Sequence, residues 1–196
     1  MTQVLAQTPS QTVGPYFAYG LTPQQYGYDH RSLFTPVLAG PRAQGQAIEI
    51  TGQVFDGNGQ VINDAMIEIA HANAEGKAVA TYAQSKAGDF TGYGRCGTGV
   101  DAERHFLFRT IKPGACAPGE APYVNLIVFM RGLPVHAFTR VYFEDEAGNA
   151  EDAVLQSVPA DRRATLVARK EDVNGVLRYR FDVHMQGPKE TVFFDL

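Results

Sequence analysis

The sequence predicts an all-β protein, a single-domain β-sandwich with long loops and one short helix. Two kinds of observation carry this. Stretches of β-branched and aromatic residues recur along the chain, among them "AIEITGQVF", "HFLFRTI", "YVNLIVFM" and "HAFTRVYF". Between such stretches stand Asp-Gly and Asn-Gly steps, which supply the positive φ that tight β-turns need. No repeat and no linker interrupts the pattern, so the strands fold as one unit.

Residues 1–46 carry little regular pattern and much Pro, Gly and Gln, and are expected to form a loop-rich arm. The sandwich domain is expected over 47–196. It opens with "AIEITGQVF", turns at "DGNGQ" and returns through "VINDAMIEIAHA", which predicts a hairpin over 47–72. Residues 72–104 read as loop. A loop of that length in a compact domain is usually functional or an interface. Strands resume at 105–111, 123–130 and 136–143. "YVNLIVFM" is apolar at nearly every position, as a strand covered on both faces would be. "PADRRATLVARK" predicts the short helix, with Asp161 near its first turn. "DVNGVLRYRFDVHM" predicts an Asn-Gly hairpin. Its return strand sets Tyr179, Phe181 and Val183 against Arg178, Arg180, Asp182 and His184. "ETVFFDL" predicts an edge strand.

The bulk numbers restrict the function. The chain has 196 residues, enough to bury a real core. Hydrophobic residues make up 44% and charged residues 19%, a globular composition. The net charge is -4 and no basic patch is visible, so there is no electrostatic footprint for nucleic acid. The start "MTQVLAQTPSQ" lacks a basic segment followed by an apolar one, so no signal peptide is expected. The apolar run "VNLIVFM" is too short to span a bilayer. With two cysteines, Cys96 and Cys116, and no Cys-x-x-Cys spacing, the expectation is a cytoplasmic protein with reduced thiols, no membrane association and no local metal motif.

Pattern alone offers no catalytic set. The histidines, His30, His71, His105, His136 and His184, never stand at i, i+2 or i, i+4, so no local pair presents two imidazoles on one face. No nucleophile elbow, phosphate loop or dinucleotide fingerprint is present. Arg131, at the end of the apolar strand, either points to solvent or offers its fork to a carboxylate. The segment "TPSQTVGPYFAYG" has no charge, yet carries hydroxyls at Thr8, Ser10, Thr12, Tyr16 and Tyr19.

"TPSQTVGPYF", "GQVFDGNGQ", "IEIAHANAEG", "GRCGTG", "RTIKPG", "FMRGLPVHAFTRVYFEDE", "RRATLVARK" and "YRFDVHMQGPKETVFFDL" together resemble the intradiol ring-cleavage dioxygenases nearly end to end. Within that family they resemble the α-type chains of the two-subunit enzymes that act on protocatechuate. The resemblance implies a β-sandwich of the intradiol type. It implies a homologous β subunit as partner, a higher-order α–β oligomer, and protocatechuate and O2 as substrates. The cofactor would be Fe(III), bound by the β subunit through two tyrosines and two histidines. Two phenolates and two imidazoles suit that hard cation. In this chain the corresponding positions are Tyr82, Cys116, Tyr123 and Asn125, a vestigial set. Glu120 stands where the iron-bearing chains have an arginine. Related α chains have histidine at the place of Tyr123 and tryptophan at that of Ala70, so packing around the vestigial pocket differs here. No metal is expected on this chain, and no catalytic residue.

The same resemblance gives the opening loop a role. Thr12, Gly14, Pro15 and Tyr16 would form one wall of the active site held by the β subunit, with Arg131 placed for the substrate carboxylate. The loop's chemistry agrees. Gly14 permits close approach of backbone to ligand, Pro15 lowers the cost of ordering, and Thr12 and Tyr16 offer hydroxyls. The lack of charge avoids burying an unpaired ion on docking. Two other readings stand beside this one: a β-sandwich that only scaffolds, and an autonomous intradiol enzyme using altered ligands such as Tyr82, Cys116 and Tyr123.

Overall fold

A computed structural model describes residues 9, 11–14, 16–99 and 101–195. Two sheets pack face to face. The first is ordered β4 (Tyr93–Gly97), β3 (Met66–Ala70), β6 (Tyr123–Phe129), β7 (Ala137–Phe143), all antiparallel neighbours. The second is ordered β8 (Val167–Val173), β9 (Val176–Arg180), β1 (Ala47–Gly52), β5 (Phe106–Ile111). Strand β8 joins them. Val167 and Ala168 pair with Tyr142 and Phe143 of β7, and from Arg169 onward the strand pairs with β9. A small ribbon pairs β2 (Val54–Phe55) with β10 (Val183–His184).

The core lies between the sheets. Ile67, Ile69, Leu126, Val128 and Val141 face Ile48, Ile50, Phe106, Phe108 and Tyr179, all buried. The period of two is what makes this possible: Val124, Leu126 and Val128 of β6 point inward, while Tyr123, Asn125, Ile127 and Phe129 are half-buried on the outer face. The strand expected to be covered on both faces is thus fully covered on one. Its outer face is partly capped by the arm, where Phe17 of α1 (Phe17–Leu21) lies 5.8 Å from Phe129.

The Asn174-Gly175 hairpin forms as expected, with both residues at positive φ (56° and 82°) and Val173 opposite Val176. Tyr179, Phe181 and Val183 are buried. Other expectations are corrected. The "DGNGQ" turn exists: Asp56 Oδ1 accepts from the Asn58 and Gln60 amides at 2.9 and 2.8 Å. However, the segments around it do not form one hairpin. Only Phe55 and Val61 bridge, after which β1 pairs with β5 and β9 while β3 pairs with β4 and β6 in the other sheet. The turn carries the chain across the sandwich.

The helix content also differs. In place of one helix over 159–170 there is a 3-10 turn at Arg163–Leu166, and β8 begins at once. Short helices occur instead at α1, at α2 (Tyr82–Gly88) and at α3 (Ala153–Ser157). "ETVFFDL" makes only an isolated bridge, Phe138 with Phe194. Among the described residues no helix is long and apolar enough to cross a membrane.

Candidate functional site

The opening loop lies along the outer end of β6 and the β6–β7 connection. The Thr12 hydroxyl accepts from the Gly132 amide at 2.8 Å and reaches the Met130 carbonyl at 3.4 Å. One side chain therefore grips the backbone on both sides of Arg131. The Gly14 carbonyl accepts from the Phe17 amide at 3.2 Å and starts α1. Among the described residues, a Cβ on Gly14 would meet nothing within 4 Å. Pro15 lies outside the described residues. Tyr16 is 77% exposed and begins a chain of aromatic contacts, Tyr16 to Tyr19 at 5.6 Å and Tyr19 to Tyr26 at 4.2 Å. Between loop and connection runs an apolar groove of about 200 Å³, lined by Val13, Phe17, Phe129, Leu133 and Val135.

Arg131 faces a carboxylate. Its Nε pairs with Asp64 Oδ2, in the turn leading into β3. The contact is ionic and not an aligned hydrogen bond. The Arg131 side chain is 58% exposed and that of Asp64 only 17%. Arg131 combines features of both placements open from sequence: more than half of the side chain meets solvent, and a single nitrogen, Nε, approaches a carboxylate without forming a two-bond fork. Thr12 thus lies against the Arg131 turn, with the less exposed Asp64 paired to Arg131, while the contact seen for Tyr16 is with Tyr19. Asp64 carried no signal in sequence beyond being a charge in an otherwise neutral turn.

The vestigial set is brought together only in part. Tyr123 and Asn125 share the outer face of β6, two residues apart. Burial raises the pKa of the Tyr123 phenol, and neighbouring Arg140 opposes this while Cys116 and Glu120 add to it. Cys116 is therefore a neighbour of Tyr123; it is exposed and free. Tyr82 lies apart from them in character: it is 77% exposed at the start of α2, with the Lys86 ammonium 5.5 Å from its ring.

The residue missed from sequence is Arg140. It stands opposite Asn125 on β7, and its guanidinium lies 4.0 Å from the centre of the Tyr123 ring. Beneath it, Tyr142 donates its hydroxyl to Asp152 Oδ1 at 3.0 Å. Asp152 is fully buried and also accepts from the Ala121 and Leu155 amides. An arginine in the middle of an apolar strand, "HAFTRVYF", was the available signal.

These residues do not fit a ferric ion. Asn125 offers a neutral amide, and Tyr82 sits out in solvent. A permanently charged guanidinium already covers the Tyr123 ring, where a second, trivalent cation would be repelled.

A second cleft, about 560 Å³, opens on the outer face of β1, β5 and β9. Most of its charges are paired within the chain: Arg178 with Glu49, Arg180 with Asp182, and His105 beside Asp101 and Glu103.

This sandwich, with loops gathered at the outer end of β6, places the chain in a class, and the comparisons agree. The chain belongs to the intradiol ring-cleaving dioxygenase family: the dioxygenase family model matches residues 13–122. It is 57% identical over 194 residues to the protocatechuate 3,4-dioxygenase alpha chain of Burkholderia cepacia, covering 98% of each. It is 31% identical to the beta chain of the same enzyme from Burkholderia cepacia, over 75% of this chain and 67% of that one. Among solved structures it resembles the dioxygenase domain of a carbohydrate-binding fusion protein from Streptomyces sp. SirexAA-E. The TM-score is 0.62 at 22% identity, covering 91% of this chain and 97% of that one.

Proposed function

We propose that this chain is the α subunit of a protocatechuate 3,4-dioxygenase, and that a homologous β subunit carries the Fe(III). The complex cleaves protocatechuate with O2, between the two hydroxylated carbons, to 3-carboxy-cis,cis-muconate. Both oxygen atoms enter the product. The likeness to alpha chains at 57% identity supports the subunit reading, and the weaker likeness to a beta chain supports a homologous partner.

The single observation that carries the role of this chain is the Thr12 tie to Met130 and Gly132. It makes one surface of the arm (residues 1–46) and the Arg131 turn of the sandwich domain (47–196). That surface is uncharged but for Arg131, whose free edge suits the carboxylate of an aromatic acid. Thr12, Gly14, Pro15 and Tyr16 supply the wall, and Gly14 leaves room for ligand or partner backbone. The chain binds and orients substrate, and the site is completed by the partner, as is common for small ligands between subunits. Higher α–β oligomers and a cytoplasmic location complete the reading.

The test is a reconstituted complex carrying Arg131→Ala. Loss of a charge-assisted contact costs about 1.5–3 kcal/mol, so KM for protocatechuate rises at least tenfold. An unchanged KM removes the substrate role from Arg131 and leaves a scaffold.

A further inference from the structure

We infer that Asp64 is a positioning residue for substrate recognition, acting through Arg131; this rests on the reading of Arg131 given above. Three observations bring it out. Arg131 sits in a turn whose backbone is pinned on both sides by Thr12. That pin places the Cα of Arg131 but leaves a long side chain free to rotate, and a free arginine loses considerable rotamer entropy when it binds. The Asp64 carboxylate removes that freedom. It meets the guanidinium at Nε, and with the arginine side chain 58% exposed, N–H donors remain for a second carboxylate.

Burial supports the same direction of control. The Asp64 side chain is 17% exposed against 58% for Arg131, so the carboxylate is the fixed member and the guanidinium the presented one. Asp64 stands just before β3, an inner strand of the first sheet, so its backbone position follows from the packing of that strand. The pair is neutral as a whole, so it can be covered by a partner with little cost in unpaired charge.

A structural role for Asp64 would weaken binding of every catechol alike. A positioning role affects only ligands that carry a carboxylate. The experiment is an anaerobic titration of the α–β complex with protocatechuate and with unsubstituted catechol, followed by the visible absorbance of the complex. It is made on the parent, Asp64→Asn, Asp64→Ala, Arg131→Ala and the double variant Asp64→Ala with Arg131→Ala. Both Asp64 variants are expected to weaken protocatechuate three- to tenfold and leave catechol within twofold. The double variant is expected to match Arg131→Ala, since Asp64 has nothing left to position. Equal weakening of both ligands, unchanged protocatechuate affinity, or tighter binding of protocatechuate each overturns the proposal. If Arg131→Ala weakens protocatechuate and the Asp64 variants do not, only Asp64 loses its role. If Arg131→Ala is itself without effect, the reading of Arg131 fails and Asp64 falls with it.

Discussion

The Arg140 guanidinium lies 4.0 Å from the centre of the Tyr123 ring, across the β6–β7 pair. A cation over an aromatic face is attracted by the ring quadrupole. The Arg140 charge also acts at longer range on the buried carboxylate of Asp152, which is held directly by the Tyr142 hydroxyl and the Ala121 and Leu155 amides. A positive charge from this chain's own strand thus sits beside Tyr123 and Asn125, the positions proposed as vestigial. Arg140→Gln is expected to lower stability by about 0.5–1 kcal/mol, through loss of the cation over the Tyr123 ring. Thermal unfolding of the complex checks this. A melting temperature equal to that of the parent would show that Arg140 merely decorates the surface.

Thr12→Val keeps the shape of the side chain and removes the acceptor for the Gly132 amide. Loss of one hydrogen bond of this kind costs about 0.5–1.5 kcal/mol, so kcat/KM for protocatechuate falls roughly two- to tenfold. Thr12→Ser retains the hydroxyl and most of the activity. Steady-state kinetics of the two variants side by side separates the tie from simple packing.

His71 is buried, and its ring is satisfied on both sides: the Ala72 carbonyl lies 2.8 Å from Nδ1 and the Thr110 hydroxyl 2.8 Å from Nε2. A neutral ring that donates from Nδ1 and accepts at Nε2 meets both partners. Burial pushes its pKa down to about 4 from 6.5, against the pull of the Ala72 carbonyl. The folded value lies below the unfolded one. The resulting stability is full above pH 6.5 and is lost as pH falls toward 4, by about 3 kcal/mol in total. Melting temperature against pH should rise over that window, and His71→Gln should flatten the rise.

Asp145 behaves in the same sense at lower pH. Burial acts against its charge, but hydrogen bonds from Lys170, Lys112 and Tyr179 outweigh this and hold its carboxyl below the usual range. Its contribution is present above the unfolded carboxylate pKa, near 3.8, and fades as pH falls below it. Asp145→Asn therefore lowers stability at neutral pH and has a smaller effect at the acid end of an unfolding series.

Gly52 ends β1 where a Cβ would stand 1.8 Å from the Phe181 carbonyl oxygen and 2.9 Å from the Phe106 ring. The obstacle is backbone of the neighbouring chain segment and cannot swing aside. Gly52→Ala is expected to cost at least the ~1–3 kcal/mol of an overpacked core. Soluble yield and melting temperature of the variant measure it.

What was legible in the sequence follows from how local each cause is. The Asn174-Gly175 turn and the alternation through Tyr179, Phe181 and Val183 are written within a few residues, and both appear in the fold. The "DGNGQ" turn is local too, but whether its flanks pair is decided by β5, β9, β4 and β6, far away in the chain. Helix α2 did have a signal: Thr81 and Gln84 form a capping box, hidden inside a stretch read as loop. At Arg163–Leu166 helical propensity gives way after one turn, because Val167 and Ala168 are wanted by β7. The proposal of Thr12, Gly14, Tyr16 and Arg131 as wall residues came from resemblance to a family; what joins Thr12 to Gly132, Arg131 to Asp64 and Arg140 to Tyr123 is tertiary contact with no sequence pattern of its own.

The most direct test of the account is the iron content and visible absorbance of this chain, purified alone and together with its β partner. The account predicts a colourless, iron-free chain by itself, and a coloured complex that cleaves protocatechuate. A lone chain that binds iron in stoichiometric amount and shows a tyrosinate charge-transfer band would contradict it, and would make Tyr82, Cys116 and Tyr123 the residues to replace.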